Sequence, residues 1–447
     1  MEIISNDQQT PELLDKLRQQ FNATSYPVVE LNAPPNVNPS HLYIHNLVTA
    51  YYLRYQQVVD PKDKVILDAG CGNGYKALSL AIANPGAKIV GVDLSAASIA
   101  QAQQRLTNHG FDNTEFHVMP LEELPRLGMQ FDYINNDEVL YMIPDPLTGL
   151  QAMQSVLKPQ GIIRTNLHSK LQRSKFYRSQ DLCKLLGLWD GNPQESEIGM
   201  LTELMRSLKD NVDLKVNTWS KGFEENPKGT LSNHFLVGDK GFTILDLFNF
   251  LQETNLEFIR MTNWRSWNLQ ELFTTKEKLP IFLDEFLGKL SVSERFRVFE
   301  LMQPNHRLFD FWCGHPGQGN NFMPVAEWTE TQWAEARIYL HPQLKTPEFI
   351  TEANHCASQF NPLEISRYLP TVPYSNLDSS VVAAVILPLL ESSCSLKELV
   401  DRSQYLRPYN FQTLEPITPQ SAWDTMVSTL TGLEYLGYVM LSVSSYQ

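Results

Sequence analysis

The sequence lacks a long apolar run. The longest, VVAAVILPLL at residues 381–390, is about half of the roughly 20 residues that a membrane-spanning helix needs, and it contains Pro388. The first residues, MEIISNDQQTPELL, have neither the basic start nor the apolar centre of a signal peptide. We therefore expect a cytoplasmic protein with no membrane partner.

Cysteine is scarce, and its spacing is irregular. The cysteines are odd in number and lack the short paired spacings of a zinc site: Cys71, Cys183, Cys313, Cys356 and Cys394. We interpret them as reduced thiols, in agreement with a cytoplasmic location. The set His306, Cys313 and His315 matches no standard metal-site spacing, so we expect no bound metal.

Positive charge is also in short supply. The 36 Lys and Arg residues are outnumbered by 50 Asp and Glu residues, which gives a formal net charge of -14. Phosphate contacts need clustered basic side chains, so we expect no nucleic-acid partner, whereas a basic protein partner is compatible. The 447 residues exceed what one hydrophobic core normally serves, so more than one domain is expected.

What the sequence does contain begins with a glycine-rich loop in VILDAGCGNGYKAL, residues 65–78. Its glycines are spaced G-x-G-x-G, at Gly70, Gly72 and Gly74. A dinucleotide fingerprint needs a further glycine where Tyr75 stands, and a P-loop needs Ser or Thr where Ala77 stands. Both phosphate-binding interpretations therefore fail, and the loop is suited to the close approach of an uncharged or cationic ligand.

Short β-rich runs alternate with helical patterns between residues 64 and 168. Strands are predicted at 64–68, 88–93, 115–119, 131–135 and 162–167, and helices near 75–83, 95–108 and 146–157. This alternation predicts a parallel sheet covered by helices on both faces, which is an α/β, doubly wound, Rossmann-like fold. Asp93 ends the second strand, where a carboxylate can accept both hydroxyl groups of a ribose.

In this order the motifs resemble the class I S-adenosylmethionine-dependent methyltransferase family. DAGCGNG at 68–74 is similar to the first motif of the family, and GVDLS at 91–95 to its ribose-binding motif. FDYI at 131–134 resembles the fourth-strand motif, and LKPQG at 157–161 the turn before the fifth strand. The resemblance implies S-adenosyl-L-methionine as the cofactor and S-adenosyl-L-homocysteine as the product.

The resemblance also implies a set of cofactor-binding residues. They are Asp68, Gly70, Cys71, Gly72, Asn73, Gly74, Asp93, Leu94, Leu121, Glu122 and Asn136. Pro120 stands where many relatives have an Asp that meets the adenine amino group, so adenine recognition is expected from the backbone of Leu121 or from Glu122. Asn136 is expected to touch the cofactor, while one of Asn136, Asp137 and Glu138 can orient the acceptor at the carboxyl edge of the sheet.

The flanking segments carry a second resemblance. HSKLQRSKFYRSQDL, NPQESEI, LKDNVDLKVNTW and HRLFDFWCGH are similar to cyanobacterial proteins that join a methyltransferase domain to helical segments, among them a protein lysine methyltransferase type. Only the neutral amine of a lysine attacks, and an apolar, aromatic channel favours that form. The catalytic candidates are two tyrosines and one histidine. Tyr26 and Tyr141 lie on loops expected to border the cofactor, and His168 follows the fifth strand, where it can accept a proton. Each of the three is also explained by a structural role.

The element order predicts several regions along the chain. Helices that cap the site are expected in 1–60, the methyltransferase domain in 61–168 and 233–265, a helical insertion that can act as a lid in 169–232, a helical middle region in 266–370, and a winged-helix-like domain in 371–447. The C-terminal region is acidic, so packing or homodimer formation is expected there rather than DNA binding.

Three functions stay open from the sequence. The leading one is transfer of a methyl group to the side-chain amine of lysine in a protein substrate. The alternative is methylation of an oxygen, nitrogen or carbon atom of a small molecule. The third is a non-catalytic protein that binds the cofactor and acts through interactions with other proteins.

Overall fold

The computed structural model describes residues 6–23, 29–189, 193, 195–225, 227–274, 280–319 and 322–443. The chain divides into two compact units. The first consists of Met1–Pro34, Lys64–Leu78 and Ala87–Pro316. The second consists of Pro35–Asp63, Ser79–Gly86 and Gly317–Gln447.

Helices occur throughout the described residues. The α-helices are α1 (Asn6–Ala23), α2 (Pro39–His45), α3 (Leu47–Tyr55), α4 (Tyr75–Ala83), α5 (Ala96–Asn108), α6 (Pro146–Ser155), α7 (Lys170–Leu185), α8 (Glu195–Ser207), α9 (Asp213–Thr218), α10 (Lys221–Glu225), α11 (Pro227–His234), α12 (Ile244–Glu253), α13 (Ile281–Leu287), α14 (Val292–Met302), α15 (Glu330–Glu335), α16 (Pro347–Gln359), α17 (Ser379–Val381), α18 (Leu387–Glu391), α19 (Leu396–Leu406) and α20 (Pro419–Tyr435). A π-helical turn, Val382–Ile386, joins α17 to α18.

The strands belong to separate sheets in the two units. They are β1 (Val65–Ala69), β2 (Lys88–Asp93), β3 (Thr114–Val118), β4 (Phe131–Asn136), β5 (Leu157–His168), β6 (Glu257–Met261), β7 (Leu308–Gly314), β8 (Ala336–Leu340), β9 (Leu363–Glu364), β10 (Asn376–Leu377), β11 (Cys394–Ser395) and β12 (Val439–Val443).

The sheet of the first unit has the order β3-β2-β1-β4-β5-β7-β6 within the described residues. The first five strands, β1, β2, β3, β4 and β5, each run parallel to their neighbours within this set, and β7 runs antiparallel to β5 and β6. Ile66, Leu67 and Ile134 are fully buried, as expected for strands covered on both faces. The predicted doubly wound α/β fold is confirmed, and each of the first five strands lies within a few residues of its predicted position.

The second half of the sheet differs from the sequence prediction. β6 follows α12 in the segment 233–265 that was assigned to the methyltransferase domain, and it lies at the edge of the sheet. Between β5 and β6, however, lies β7, which comes from HRLFDFWCGH in the region 266–370 that was predicted to be helical. The prediction for that region was therefore incomplete, because β7 and β8 both fall in it.

The LKPQG stretch is a bulge inside β5 and not a turn before it. Phe131 pairs with Leu157, but Tyr133 pairs with Ile162, so β5 has three extra residues at this point. Lys158 donates from Nζ to Asp132 Oδ2 at 2.6 Å, which fixes the bulge to the neighbouring strand. The stretch is thus part of an irregular strand.

The segment between β5 and α12 is helical, as predicted for an insertion. It comprises α7 to α11, and its apolar residues form a small core of their own around Cys183, Leu201, Met205 and Phe235. This core belongs to the first unit. The proposed role of the insertion as a lid stays a prediction.

The second unit has an antiparallel sheet with the strand order β11-β8-β12 in its described part. After α18 the order is β11, α19, α20 and β12, which agrees with the winged-helix-like pattern expected for 371–447. The central strand β8 lies outside that predicted boundary, because it precedes the pattern by more than thirty residues. Its Ile338 and Leu340 pack in the core of this unit.

The helical stretch HLYIHNLVTAYYLRYQQ, in the region 1–60 where helices are expected, is divided in two. Asn46 has an extended backbone between α2 and α3, and its Oδ1 accepts the N–H of Val48 at 2.8 Å as the N-cap of α3. Its Nδ2 donates to the carbonyl of Ala83 at 2.8 Å. A continuous apolar pattern concealed this break, since Asn inside such a pattern is also tolerated within a helix.

The described part of the chain has no helix long and apolar enough to cross a membrane. All five cysteines are buried, and none of them forms a disulfide bond with another.

Candidate active site

The candidate site lies at the carboxyl edge of the parallel strands, where the strand order reverses between β1 and β4. Chains leave β1 and β4 in opposite directions across the sheet, which opens a crevice above their ends. Asp68 and the glycine loop end β1, Asp93 ends β2, and Asn136 ends β4. The order of the strands therefore brings together the residues that the motifs predicted.

The glycine loop turns sharply back over the sheet. Gly70, Gly72 and Gly74 all have positive φ, at 86°, 51° and 80°. The backbone N–H groups of Gly70 and Cys71 both donate to the carbonyl of Val92, at 2.8 and 2.9 Å. A side chain at Gly70 would meet Val139 at 2.4 Å. The loop thus requires glycine for both its conformation and its contacts.

Arg105 fixes the back of this loop. Its Nε donates to the carbonyl of Asn73 at 3.0 Å, and its guanidinium also reaches the carbonyls of Glu30 and Val29 at 2.8 and 3.0 Å. Arg105 is buried, although it faces only neutral carbonyl groups in these contacts. Its position on α5 could not be recognised from the sequence, because a single Arg in an amphipathic helix is normally exposed.

Asp93 joins the loop to the second strand. Its Oδ2 accepts the N–H of Gly72 at 3.0 Å, and its Oδ1 accepts that of Ser95 at 2.9 Å. Burial raises the pKa of Asp93 from its ordinary value, and these two N–H groups oppose the rise. Each carboxylate oxygen keeps a second lone pair, so the group can still accept the two hydroxyls of a ribose.

Asp68 is buried, and one of its oxygens lacks a partner. Asn135 donates from Nδ2 to Oδ1 of Asp68 at 2.8 Å, whereas no described residue bonds to Oδ2. Burial raises the pKa of Asp68 to about 7, the bond from Asn135 opposes the rise, and the charge of Asp137 adds to it. An unpaired buried carboxylate oxygen is costly, and a cationic ligand group would satisfy it.

A buried ionic network continues from Asp68 across the sheet. Arg164 on β5 donates to Asn135 Oδ1 at 2.8 Å and binds both oxygens of Asp310 on β7, at 3.0 and 2.6 Å. Asp137 accepts from Asn166 at 2.7 Å and pairs with Lys76 at 2.5 Å. Arg164 thereby sets the orientation of the Asn135 amide that faces Asp68.

The side chain of Asn136 is bonded within the sheet. Its Nδ2 donates to the carbonyl of Ala69 at 2.7 Å, its Oδ1 accepts from the hydroxyl of Thr165 at 2.8 Å, and the residue is fully buried. The side chain therefore joins β4 to its two neighbours. The expected contact between Asn136 and the cofactor stays a prediction.

The remaining cofactor candidates lie around the same edge. Leu94 follows β2 and is partly buried, and Pro120 precedes a short 3-10 helix, Leu121–Leu127. Leu121 is buried and Glu122 is partly exposed. Their proposed contacts with adenine stay predictions.

Of the two tyrosine candidates, the structure describes only Tyr141. Tyr26 lies outside the described residues. Tyr141 is buried, and its ring stacks on that of His168 with centroids 3.6 Å apart. Burial raises the pKa of Tyr141, and the negative charge of Glu138 adds to this effect. The phenol is therefore neutral at physiological pH.

Both ring nitrogens of His168 are engaged. Nδ1 bonds to Asp239 Oδ1 at 2.6 Å, and Nε2 lies 3.0 Å from Nη1 of Arg307. Burial lowers the pKa of His168 to about 4, although the bond to Asp239 opposes that change. A neutral ring that donates to Asp239 and accepts from Arg307 fits both contacts. The structure therefore gives His168 a positioning role and leaves no lone pair for the proton-acceptor role considered from the sequence.

The sequence patterns did not point to three charged residues of this region, which are Asp239, Arg173 and Arg307. Asp239 also accepts from Arg173 at 2.6 Å and from Gln180 at 3.0 Å, and Arg307 pairs through Nη2 with Glu138 Oε1. Burial raises the pKa of Asp239, but its contacts with His168 and Arg173 lower it overall. These partners are far apart in sequence, so no local motif marks them.

The residues at this edge fit S-adenosylmethionine. The unpaired Oδ2 of Asp68 suits an ammonium group, Asp93 retains acceptor capacity for ribose, and the glycine loop lets the backbone approach closely.

The histidines and Cys313 that had been considered as metal ligands have other contacts: His306 stacks on Trp267 with centroids 4.3 Å apart, and His315 bonds to the carbonyl of Leu157 at 3.3 Å.

Comparisons with known proteins agree with this geometry. Residues 60–219 match the family described as methyltransferase domain. The fold, the glycine loop and this match identify a domain of the class I S-adenosylmethionine-dependent methyltransferase type in residues 60–219.

Several relatives share different parts of the chain. An uncharacterized protein of Synechococcus sp. is 28% identical over 268 residues, which are 59% of this chain and 62% of that protein. A ubiquinone biosynthesis O-methyltransferase of Acinetobacter baumannii is 33% identical over 99 residues, 22% of this chain and 41% of that enzyme. The chain thus spans less than two thirds of the length of these curated relatives.

Among solved structures, PKMT2 from Rickettsia typhi shares the fold. Its TM-score is 0.55 at 14% identity, over 92% of this chain and 75% of that chain. A second structure of the same protein is a complex with AdoHcy.

Proposed function

We propose that this protein transfers a methyl group from S-adenosylmethionine to the side-chain amine of lysine in a protein substrate. The observation that carries the proposal is the extent of the shared fold: PKMT2, a protein lysine methyltransferase, corresponds to 92% of this chain and therefore to regions well beyond residues 60–219. The net charge of -14 favours a basic protein segment as the partner.

The cofactor half of the site binds and orients. S-adenosylmethionine, when bound, supplies a methyl group on a cationic sulfur. Asp68 would hold the ammonium of the methionine part through Oδ2, and Asp93 would accept the ribose hydroxyls, while the backbone of the glycine loop packs against the nucleoside. Fixing the donor in line with the acceptor is the main contribution that a protein makes to such a displacement.

The acceptor half would prepare the amine. Tyr141 and His168 form a buried, neutral, stacked pair beside the end of β4. Such a wall excludes water and favours the uncharged amine over the ammonium, whose reference pKa is about 10.4. No covalent intermediate with the protein is needed.

Methylation of a small molecule is the competing function. The 33% identity to a ubiquinone biosynthesis O-methyltransferase supports it. That identity extends over only 99 residues, however, which is compatible with a shared cofactor-binding part alone.

Labelled S-adenosylmethionine in a cell lysate tests the choice. We expect label in a protein band, located on lysine by mass spectrometry as a shift of about 14 mass units per methyl group. The Asp93→Ala protein is the control and should leave the band unlabelled. Label confined to small molecules would contradict the proposal, and label in neither fraction would favour a non-catalytic protein.

A further inference from the structure

Glu138 has an unusual backbone. It follows β4 with φ of 60°, which is rare for a residue with a side chain, and its N–H donates to Asn166 Oδ1 at 2.9 Å. A residue is held in this region at a cost of roughly 1–2 kcal/mol, and such residues are concentrated at functional sites. The conformation therefore has to be maintained by the surrounding structure, here by Asn166.

The same turn lies directly on the glycine loop. Val139 is in contact with Gly70, because a Cβ atom placed on that glycine would lie 2.4 Å from Val139 Cγ2. Asn136 is bonded to the carbonyl of Ala69 at the start of the loop. Glu138, between these two residues in the chain, therefore lies beside the glycine loop, where the cofactor is expected to bind.

The carboxylate of Glu138 lies near the aromatic wall formed by Tyr141 and His168, and it remains reachable. It pairs with Arg307, which lies 3.0 Å from the ring of His168, and its negative charge adds to the rise in the pKa of Tyr141. The side chain of Glu138 is 25% exposed, so an incoming group can reach it from solvent.

Arg307 provides a positive charge at this carboxylate. Nη2 of Arg307 pairs with Glu138, and Nη1 lies 3.0 Å from Nε2 of the neutral His168. His168 is in turn held by the buried Asp239. The side chain of Arg307 is 43% exposed, so Nη2 can turn from Glu138 toward solvent without leaving a buried charge behind.

We infer that Glu138 receives the acceptor amine on entry, while the amine still carries its proton, and that Arg307 occupies its place until the acceptor arrives. The inference rests on the proposed function and adds the residue that recognises the lysine. The N–H groups of the ammonium would replace Nη2 of Arg307 at Glu138, while Nη1 keeps its contact with His168. His168 and Asp239 are then positioning residues for Arg307.

The chemistry of this pair selects an amine over a hydroxyl group. A carboxylate that holds a guanidinium exchanges it more readily for another cation than for a neutral hydroxyl, because the hydroxyl would leave the carboxylate without a charged partner. A flexible aliphatic stem with a terminal ammonium, as in lysine, can reach a half-buried carboxylate along an aromatic wall.

Binding of n-butylamine, a mimic of the lysine side chain, tests the inference. It is titrated at neutral pH into the full-length protein saturated with S-adenosylhomocysteine and followed by NMR. Glu138→Gln should weaken binding by about tenfold or more, as expected for loss of a charged hydrogen-bond partner. Arg307→Met should tighten it severalfold, because the competing cation is gone. 1-Butanol should bind equally weakly to all variants.

The matched control is Glu224→Gln, which removes a carboxylate paired with Arg206 in an exposed ion pair of the helical insertion. It should leave n-butylamine binding unchanged. Calorimetry with S-adenosylhomocysteine reports whether each variant keeps the cofactor site. If Glu138→Gln loses that site, Glu138→Asp replaces it: the shorter carboxylate should bind n-butylamine less tightly than the original but more tightly than the 1-butanol background.

Two results would overturn the inference. One is unchanged n-butylamine binding in the Glu138 variants, and the other is weaker binding in Arg307→Met, which would make Arg307 a structural support. If protein lysine is labelled equally by the original protein and by Glu138→Gln, the inference is wrong and the proposed function stands. If n-butylamine binding depends on Glu138 but label enters only small molecules, the amine site stands and the protein-lysine function is wrong.

Discussion

The two halves of the carboxyl edge are held together by different forces. On the β1–β2 side, backbone N–H groups meet carbonyls or one carboxylate, and glycines give the loop its shape. On the β4–β5 side, the contacts are between ionised side chains: Arg173 with Asp239, and Arg307 with Glu138, with neutral His168 between the two pairs.

Because of this difference, we expect the two halves to be sensitive to different kinds of substitution. The cofactor half should respond mainly to changes in volume and to loss of a few acceptor atoms, because its frame is the backbone. The acceptor half should respond to changes in charge, because buried ion pairs remain favourable only while both partners are present. The following variants test that difference in sensitivity, beginning with the largest expected effect.

Asp239→Ala should destabilise the first unit by about 3–5 kcal/mol, since it leaves the buried guanidinium of Arg173 without its carboxylate. Urea unfolding monitored by circular dichroism measures the change. Asp213→Ala is the matched control, because Asp213 pairs with Arg178 at the surface and its loss should cost at most about 1 kcal/mol. Equal shifts for both variants would mean that the inner pair is not a structural support.

Asp93→Ala should weaken S-adenosylhomocysteine binding by about 100-fold, which corresponds to loss of hydrogen bonds to a charged acceptor. Calorimetry measures it. The exposed Asp112 in the same unit provides the control, and Asp112→Ala should bind normally. Unchanged affinity in Asp93→Ala would contradict the assigned role with ribose.

The affinity for S-adenosylhomocysteine should rise with pH between about 6 and 8. The pKa of Asp68 is about 7 in the protein without ligand, and only the carboxylate form attracts an ammonium. Below that value, affinity should fall by at most about tenfold per pH unit. Lys76, Arg164 and Asp137 are the charged groups that act on Asp68, so Asp68→Asn is the variant that isolates its contribution; it should bind more weakly and remove this pH dependence.

The same group should act on stability with the opposite sign. An unfolded Asp releases its proton near pH 4, whereas folded Asp68 keeps it up to about pH 7. The folded protein therefore holds more protons in this window, and the stability of the ligand-free protein falls as the pH rises through it. Asp68→Asn should flatten that part of the profile of thermal unfolding temperature against pH. An unchanged profile would contradict the raised pKa.

Glu138→Gln should have the smallest effect on stability, below about 1 kcal/mol, because its partner Arg307 is 43% exposed. Thermal unfolding measures the change. A loss as large as that of Asp239→Ala would show that the Glu138 pair supports the fold and would weaken its assignment to the acceptor.

The sequence predicted the cofactor half more completely than the acceptor half, for a physical reason. Asp68, Gly70 and Asp93 lie at the ends of strands within one βαβ unit, so local patterns locate them. Asn136 was placed at the correct edge, but its side chain turns into the sheet, which a single-strand pattern does not reveal. His168 meets Asp239 across 71 residues and Arg307 across 139, and such pairs leave no periodic signal.

The same reasoning applies to the fold. The parallel strands were predicted because each is a short apolar run followed by a helix. β7 was missed because it enters an antiparallel position late in the chain, after more than forty residues of mixed helical sequence from β6. The α2–α3 break was missed because Asn46 acts as a cap only in combination with the distant Asn84, which accepts the N–H of Leu47 at 2.8 Å.

The buried cysteine thiols can report which regions of the protein unfold locally. Cys71 lies in the glycine loop, Cys183 in the helical insertion and Cys394 in the second unit, and burial raises the pKa of each thiol above its usual value. Alkylating reagents attack the exposed thiolate, so each cysteine should be modified only when its own surroundings unfold. Pulsed alkylation followed by mass spectrometry would then show in which order these regions unfold, with no need to introduce further cysteines.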